Sequence, residues 1–137
     1  MTQRQPTPRQ LDDAQFGFDL CKNISKLDIG QALALFDKDV IAVEAMEGTD
    51  AMILRAGELC RTKGWTTVKV SNAKQDKRAD VPTIGMQTIE NLAKAGCGCL
   101  VLEVGEVMML DKPKLVARAE QLGVSILGMQ RRPNEAR

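Results

Sequence analysis

Glu44-Ala45-Met46-Glu47-Gly48-Thr49-Asp50 places three carboxylates, a hydroxyl and a glycine in one short stretch. The stretch falls where an apolar run ends and a helical pattern begins. Gly48 lets a ligand approach the backbone, Thr49 or Asp50 caps the helix, and the helix start offers unpaired N–H groups to a phosphate. Glu44, Glu47 and Asp50 are the oxygen ligands that a hard cation such as Mg²⁺ prefers. The plainer reading is a strand-to-helix cap with solvated acids facing the helix dipole. A second group is Lys74-Gln75-Asp76-Lys77-Arg78-Ala79-Asp80, followed by Val81-Pro82-Thr83. Its cations suit a diphosphate and its aspartates suit a metal or a water. The alternative is a solvated connector, although Pro82 stiffens its return. Lys69 lies on the strand that enters this group, between Val68 and Val70, and points either into a cleft or to solvent. Asp111-Lys112-Pro113 reads as a helix start.

Composition removes other chemistries. The 137 residues hold no histidine, which excludes Ser-His-Asp and Cys-His catalysis and imidazole zinc sites. Three Phe, one Trp and no Tyr weaken a single-stranded nucleic-acid reading, which wants aromatic stacking platforms. The balance of 19 basic and 18 acidic residues gives no phosphate-backbone field, so no nucleic-acid partner is expected. Cys21, Cys60, Cys97 and Cys99 make neither a zinc box nor a disulfide scaffold, and read as reduced, mostly buried thiols. A redox pair at Cys97 and Cys99 is the weaker reading. No run approaches a transmembrane helix, which needs about 18 apolar residues, and the polar start is not a signal peptide. The reading is a soluble, cytoplasmic protein.

The elements that must position these groups follow from pattern and punctuation. Residues 1–6 read as a flexible lead-in, and 7–129 as one α/β domain. Thr7, Pro8 and Gln10 form a capping-box start for a helix over 8–26, with Leu11, Ala14, Phe18 and Cys21 on one stripe and Leu20, Ile24 and Leu27 on the next. Gln31–Phe36 and Val40–Glu44 read as a hairpin around Asp37-Lys38-Asp39. A second helix follows Asp50, lined by Met52, Ala56, Leu59 and Cys60 and closed by Gly64. Trp65–Val70 is a strand, 71–85 a polar loop, and Met86–Ala95 a helix stopped by Gly96. Cys99–Val104 and Val107–Leu110 read as a hairpin with Gly105 opening a type II′ turn. Asp111 caps a fourth helix lined by Leu115, Val116, Ala119 and Leu122, Val124–Met129 is the last strand, and 130–137 is a polar tail. Helical crossovers between strands predict a mixed α/β sheet of about five to six strands with helices on its faces.

Taken together, four segments resemble a known family: Phe16-Gly17-Phe18 with Leu27-Asp28-Ile29-Gly30-Gln31-Ala32; Val43-Glu44-Ala45-Met46-Glu47-Gly48-Thr49-Asp50-Ala51-Met52; Gln75-Asp76 through Asp80-Val81-Pro82-Thr83-Ile84-Gly85; and Leu110-Asp111-Lys112-Pro113. In this order the chain resembles the carboxy-terminal domain of the UDP-2,3-diacylglucosamine pyrophosphatases of lipid A synthesis, the LpxI type. The resemblance implies Mg²⁺-dependent hydrolysis of a diphosphate, giving UMP and 2,3-diacylglucosamine 1-phosphate (lipid X). It implies Asp80 as the catalytic carboxylate, binding Mg²⁺ or orienting water, with Asp50 and Glu44 as metal-binding or water-positioning acids. Thr49 and Gln75 would meet the diphosphate or sugar, with Gly48 and Thr83 beside them and Lys69 and Arg78 as phosphate partners. Family members have two domains, so a missing amino-terminal domain is implied, together with peripheral contact at the inner face of the inner membrane at most. The competing readings are a non-catalytic module for a nucleotide-sugar or lipid headgroup, and a self-association domain forming a homo-oligomer.

Overall fold

The computed structural model describes residues 1–72 and 81–130 of the chain. Helix α1 (Pro8–Lys26) leads into strands β1 (Ala32–Phe36) and β2 (Asp39–Val43), then α2 (Thr49–Leu59), β3 (Trp65–Lys69), β4 (Thr83–Ile84) and α3 (Met86–Ala95). Strand β5 (Cys97–Glu103), β6 (Met108–Met109), α4 (Lys112–Leu122) and β7 (Ser125–Met129) complete the order. Five strands form one mixed sheet, as the patterning predicts, and their order is β2-β1-β3-β5-β7. β1 runs against β2 and β3, while β3, β5 and β7 are parallel. β2 therefore runs in the same direction as the three parallel strands, and the carboxyl ends of all four lie along one edge.

Strand alternation divides the core in two. Leu33, Leu35, Val68, Val70, Cys99 and Val101 pack under α1, through Ala14, Phe18 and Cys21. Ala32, Ala34, Trp65, Leu100, Leu102 and Ile126 face the opposite side, where α2, α3 and α4 bring Met52, Ile53, Ile89, Leu92, Leu115 and Ala119. The capping box forms as read: Gln10 N–H donates to Thr7 Oγ1 (3.1 Å) and Thr7 N–H donates to Gln10 Oε1 (2.9 Å). Leu11 and Leu27, read onto the apolar stripes of α1, are exposed. Leu27 is already the cap residue, whereas Asp13, Lys22 and Ser25 turn inward because each has a partner there. Asp13 accepts from the N–H groups of Asp37 (2.8 Å) and Lys38 (2.9 Å), which fixes the β1–β2 turn where both residues have positive φ.

Several elements differ from the sequence reading. Residues 1–6 are not a free lead-in. Thr2 is buried, its Oγ1 accepting from Ile126 N–H (3.0 Å), and Glu120 accepts from the N–H groups of Gln3 (2.7 Å) and Arg4 (2.8 Å). This covers the exposed edge of β7. Helix α2 ends at Leu59, before Gly64, and Leu59 lies outside the core. Within 71–85 the described end forms β4, which pairs parallel with β6 in a small separate sheet. Val107–Leu110 therefore does not fold back on β5 as a hairpin. The chain turns at Glu103–Glu106 with Gly105 at the third position and φ of 80°, which a type II turn requires, and this sends β6 away from the main sheet. Asp111 sits at the start of α4 without a side-chain cap bond.

Cys97 and Cys99 lie on opposite faces because of a bulge. Two residues apart on a regular strand they would share a face. Trp65 pairs with Cys97 and Thr66 with Cys99, so the extra Gly98 sends one thiol to each core. Burial pushes the thiols of Cys21 and Cys99 up to about 12 and that of Cys97 up to about 11. Since the thiolate is the nucleophile, Ellman's reagent should titrate one thiol per native chain, at half-buried Cys60, and all 4 after denaturation. Among the described residues no helix is long and apolar enough to cross a membrane.

Candidate active site

In open α/β sheets, ligands bind outside the carboxyl ends of parallel strands. Here that edge carries Glu44 just after β2, Lys69 at the end of β3 and Glu103 at the end of β5, with the starts of α2 and α3 beside them. Lys69 alternates with Val68 and Val70, which belong to the α1 core, so it faces the α2 side and is buried rather than solvated. Its ammonium donates to Thr49 Oγ1 (3.0 Å) and to the Thr83 carbonyl (3.3 Å). The Thr49 hydroxyl donates in turn to Glu44 Oε2 (3.1 Å), and Gln31 N–H donates to Glu44 Oε1 (3.0 Å). Glu44, Thr49, Lys69 and Thr83 are thus brought together from four parts of the chain.

Neither expected cap forms at α2. Gly48 is the N-cap, with φ of 93°, a conformation open to glycine, and no side chain closes the first turn. Thr49 and Asp50 lie inside the helix, which frees their side chains for tertiary contacts. Asp50 Oδ1 accepts from the Thr88 hydroxyl (2.8 Å), tying α2 to α3. Helix α3 also starts on a glycine, Gly85, without a side-chain cap. Two uncapped helix starts, each with partial positive charge, flank Lys69. The arrangement can bind the oxygens of an anion through N–H groups and one ammonium.

The acids are spread over distinct tasks. Glu47, grouped with Glu44 and Asp50 in the sequence, instead pairs with Arg55, whose guanidinium also donates to the Val43 carbonyl (3.0 Å). The hydrogen bond from Arg55 holds the Glu47 carboxyl below its ordinary value. Both oxygens of Glu44 accept hydrogen bonds, whereas Asp50 Oδ2 has none among the described residues. No group of three His, Cys, Asp or Glu side chains that could hold a metal occurs among the described residues. Mg²⁺ commonly takes only one or two carboxylates plus phosphate oxygens, so Asp50 fits as one ligand. Gln75, Arg78 and Asp80 lie outside the described residues.

Beside Glu44 opens a cleft of about 240 Å³ lined by Asp28, Gly30, Gln31 and Asn72. A Cβ on Gly30 would stand 1.9 Å from the Glu44 carbonyl oxygen, so only glycine lets the two segments meet. Asn72 Nδ2 donates to Asp28 Oδ1 (2.6 Å).

One functional pair has no place in the sequence reading. Lys22 and Glu103 form a buried ion pair at 3.0 Å. Glu103 Oε1 accepts Ser71 N–H (2.9 Å), and Lys22 Nζ donates to the Ser71 carbonyl (3.3 Å). The pair holds both backbone groups of the residue where the chain leaves β3. A signal was present: Lys22 lies four residues from Phe18 on the inner side of α1, and Glu103 alternates with Val101 onto the same core. Glu103→Ala should cost about 3–5 kcal/mol, since it strands a buried ammonium, whereas Lys22→Met with Glu103→Leu should recover only part of that loss, since the Ser71 N–H and carbonyl lose their partners. Urea unfolding of the parent and the two variants measures this.

Comparison with known proteins follows the same lines. A family model described as the LpxI C-terminal domain matches residues 1–127. The UDP-2,3-diacylglucosamine pyrophosphatase LpxI of Caulobacter vibrioides is 36% identical over 137 aligned positions, covering 93% of this chain and 49% of that protein. The chain spans about half the length of this relative. Among solved structures, the apo dCMP deaminase of cyanophage S-TIM5 matches with a TM-score of 0.53 at 11% identity, covering 90% of this chain and 99% of the other. At that identity the likeness concerns the fold alone.

Proposed function

The chain belongs to the LpxI C-terminal domain family, and on that premise we propose that it supplies the diphosphate-engaging half of a UDP-2,3-diacylglucosamine pyrophosphatase. The reaction is hydrolysis: water oxygen bonds to one phosphorus, the bridging P–O bond breaks, and UMP and 2,3-diacylglucosamine 1-phosphate leave. The observation that carries this reading is the Lys69 ammonium, buried against Thr49 and Thr83 between two uncapped helix starts. Such a site offers fixed positive charge where a diphosphate gathers negative charge.

In this proposal Lys69 and the first N–H groups of α2 take the non-bridging oxygens. Glu44 orients the Thr49 hydroxyl, so that Thr49 presents its oxygen to Lys69 and holds the ammonium in place. Asp80 orients the attacking water and accepts its proton. Gln75, Arg78, Gly48 and Thr83 complete the contacts to diphosphate and sugar. Asp50, with Asp80, would hold Mg²⁺, and the bound ion would neutralise charge on the phosphates. An amino-terminal domain would supply the rest of the pocket and cover the acyl chains. The site then works in the cytoplasm and meets the membrane only through its lipid substrate.

A second reading, a non-catalytic module for a nucleotide-sugar or lipid headgroup, draws on the missing three-acid cluster among the described residues. Chelation separates the two. In the two-domain protein, EDTA should abolish UMP release and added Mg²⁺ should restore it. Substrate binding without UMP release at any Mg²⁺ concentration would favour the binding module.

A further inference from the structure

The edge of the sheet opposite the candidate active site carries a larger cleft, of about 540 Å³. It opens where β3, β5 and β7 begin and where α3 and α4 end. Arg4, Arg9 and Lys63 line it, and no carboxylate does. None of these cations has an ion-pair partner among the described residues. Arg9 stacks its guanidinium 4.3 Å from the centre of the Phe36 ring, which leaves the N–H edge of the fork for another acceptor. Glu120 of α4 is not part of the lining, and its oxygens accept from the backbone of Gln3 and Arg4.

The charge balance of the lining favours an anion. The carboxyl ends of α3 and α4, at Gly96 and Gly123, each bring about half a negative charge. They offset about one of the cations, the start of α1 at Thr7 adds about half a positive charge, and the lining keeps a positive balance. Behind the wall, Trp65 Nε1–H is buried with no acceptor among the described residues, 3.7 Å from where a Cβ on the lining residue Gly96 would stand.

We propose that this cleft is a binding site for a phosphate-bearing anion, separate from the candidate active site and independent of its assignment. The anion is either a free phosphate compound or the headgroup of an anionic lipid, since both present the same oxygens to Arg4, Arg9 and Lys63.

Trp65 is the single tryptophan and lies directly behind the lining residue Gly96, so its emission reports on changes at the cleft. The 137-residue chain is titrated with inorganic phosphate and with pyrophosphate, and is sedimented with vesicles of phosphatidylglycerol or of phosphatidylcholine. A free-anion site gives a saturable emission change. A headgroup site gives sedimentation with phosphatidylglycerol alone. In either case the affinity falls by about tenfold or more in Arg9→Gln/Lys63→Gln, weakens with added NaCl, and persists in Lys69→Met. Arg4→Gln serves as the second variant if the double variant does not fold. No response to either anion or vesicle overturns the proposal, as does a response that the cleft variants leave intact.

Discussion

Lys69→Met in the two-domain protein lowers the rate of UMP release by about 10²–10³-fold, the usual loss when one preorganised donor to a developing charge is removed. An ammonium is taken out of water at considerable cost unless something compensates it. Among the described residues the ammonium meets a threonine hydroxyl and a carbonyl, with the Glu44 carboxylate one hydrogen bond further on. The ammonium lies between the two helix starts, where an entering anion would meet it. Methionine keeps the unbranched stem and much of the volume, so the melting temperature stays close to that of the parent. Lys69→Arg does not restore the rate, because a planar fork cannot replace a compact ammonium in a slot bounded by Thr49 and Thr83. Undiminished turnover in Lys69→Met would remove this residue from the chemistry.

Asp80→Ala lowers the rate by about 10²–10⁴-fold, as expected when a positioned general base is lost. Asp80→Asn behaves alike, since an amide keeps the shape but cannot take the proton. Asp80 stands three residues before Thr83 in the sequence, and three residues reach at most about 11 Å. Thr83 is itself anchored: its carbonyl accepts Lys69, and Met108 N–H donates to the carbonyl of the preceding Pro82 (2.8 Å). The chain therefore returns to the sheet at a fixed point beside Lys69. Retained circular dichroism with lost turnover is the expected pair of results, and full activity would reject the assignment.

Much of this architecture is written in local pattern. The α1 capping box, the β1–β2 hairpin and the Gly96 stop are decided by neighbouring residues, and they form where the sequence places them. The errors share a different cause. β6 leaves the main sheet because it pairs with β4, and that partner lies more than twenty residues earlier in the chain. Thr49 and Asp50 read as helix caps by type, yet they serve Glu44, Lys69 and Thr88, contacts visible only after α2, β3 and α3 are packed. The same holds for the Lys22–Glu103 pair, which joins residues 81 apart. Glu44, Thr49, Lys69 and Thr83 were legible as candidate residues, but their convergence was not, because it depends on the strand order. Glu47 drew attention through its place among acids, and Arg55 eight residues on accounts for it.

The central proposal is that this domain carries the groups that engage a diphosphate; the Caulobacter vibrioides relative is about twice its length. The most direct measurement is UMP release from UDP-2,3-diacylglucosamine, with and without Mg²⁺, by this chain and by a version with the upstream domain restored. The account predicts Mg²⁺-dependent release by the longer protein, with the 137-residue chain much slower or inactive alone. No release by the longer protein at any Mg²⁺ concentration would contradict it.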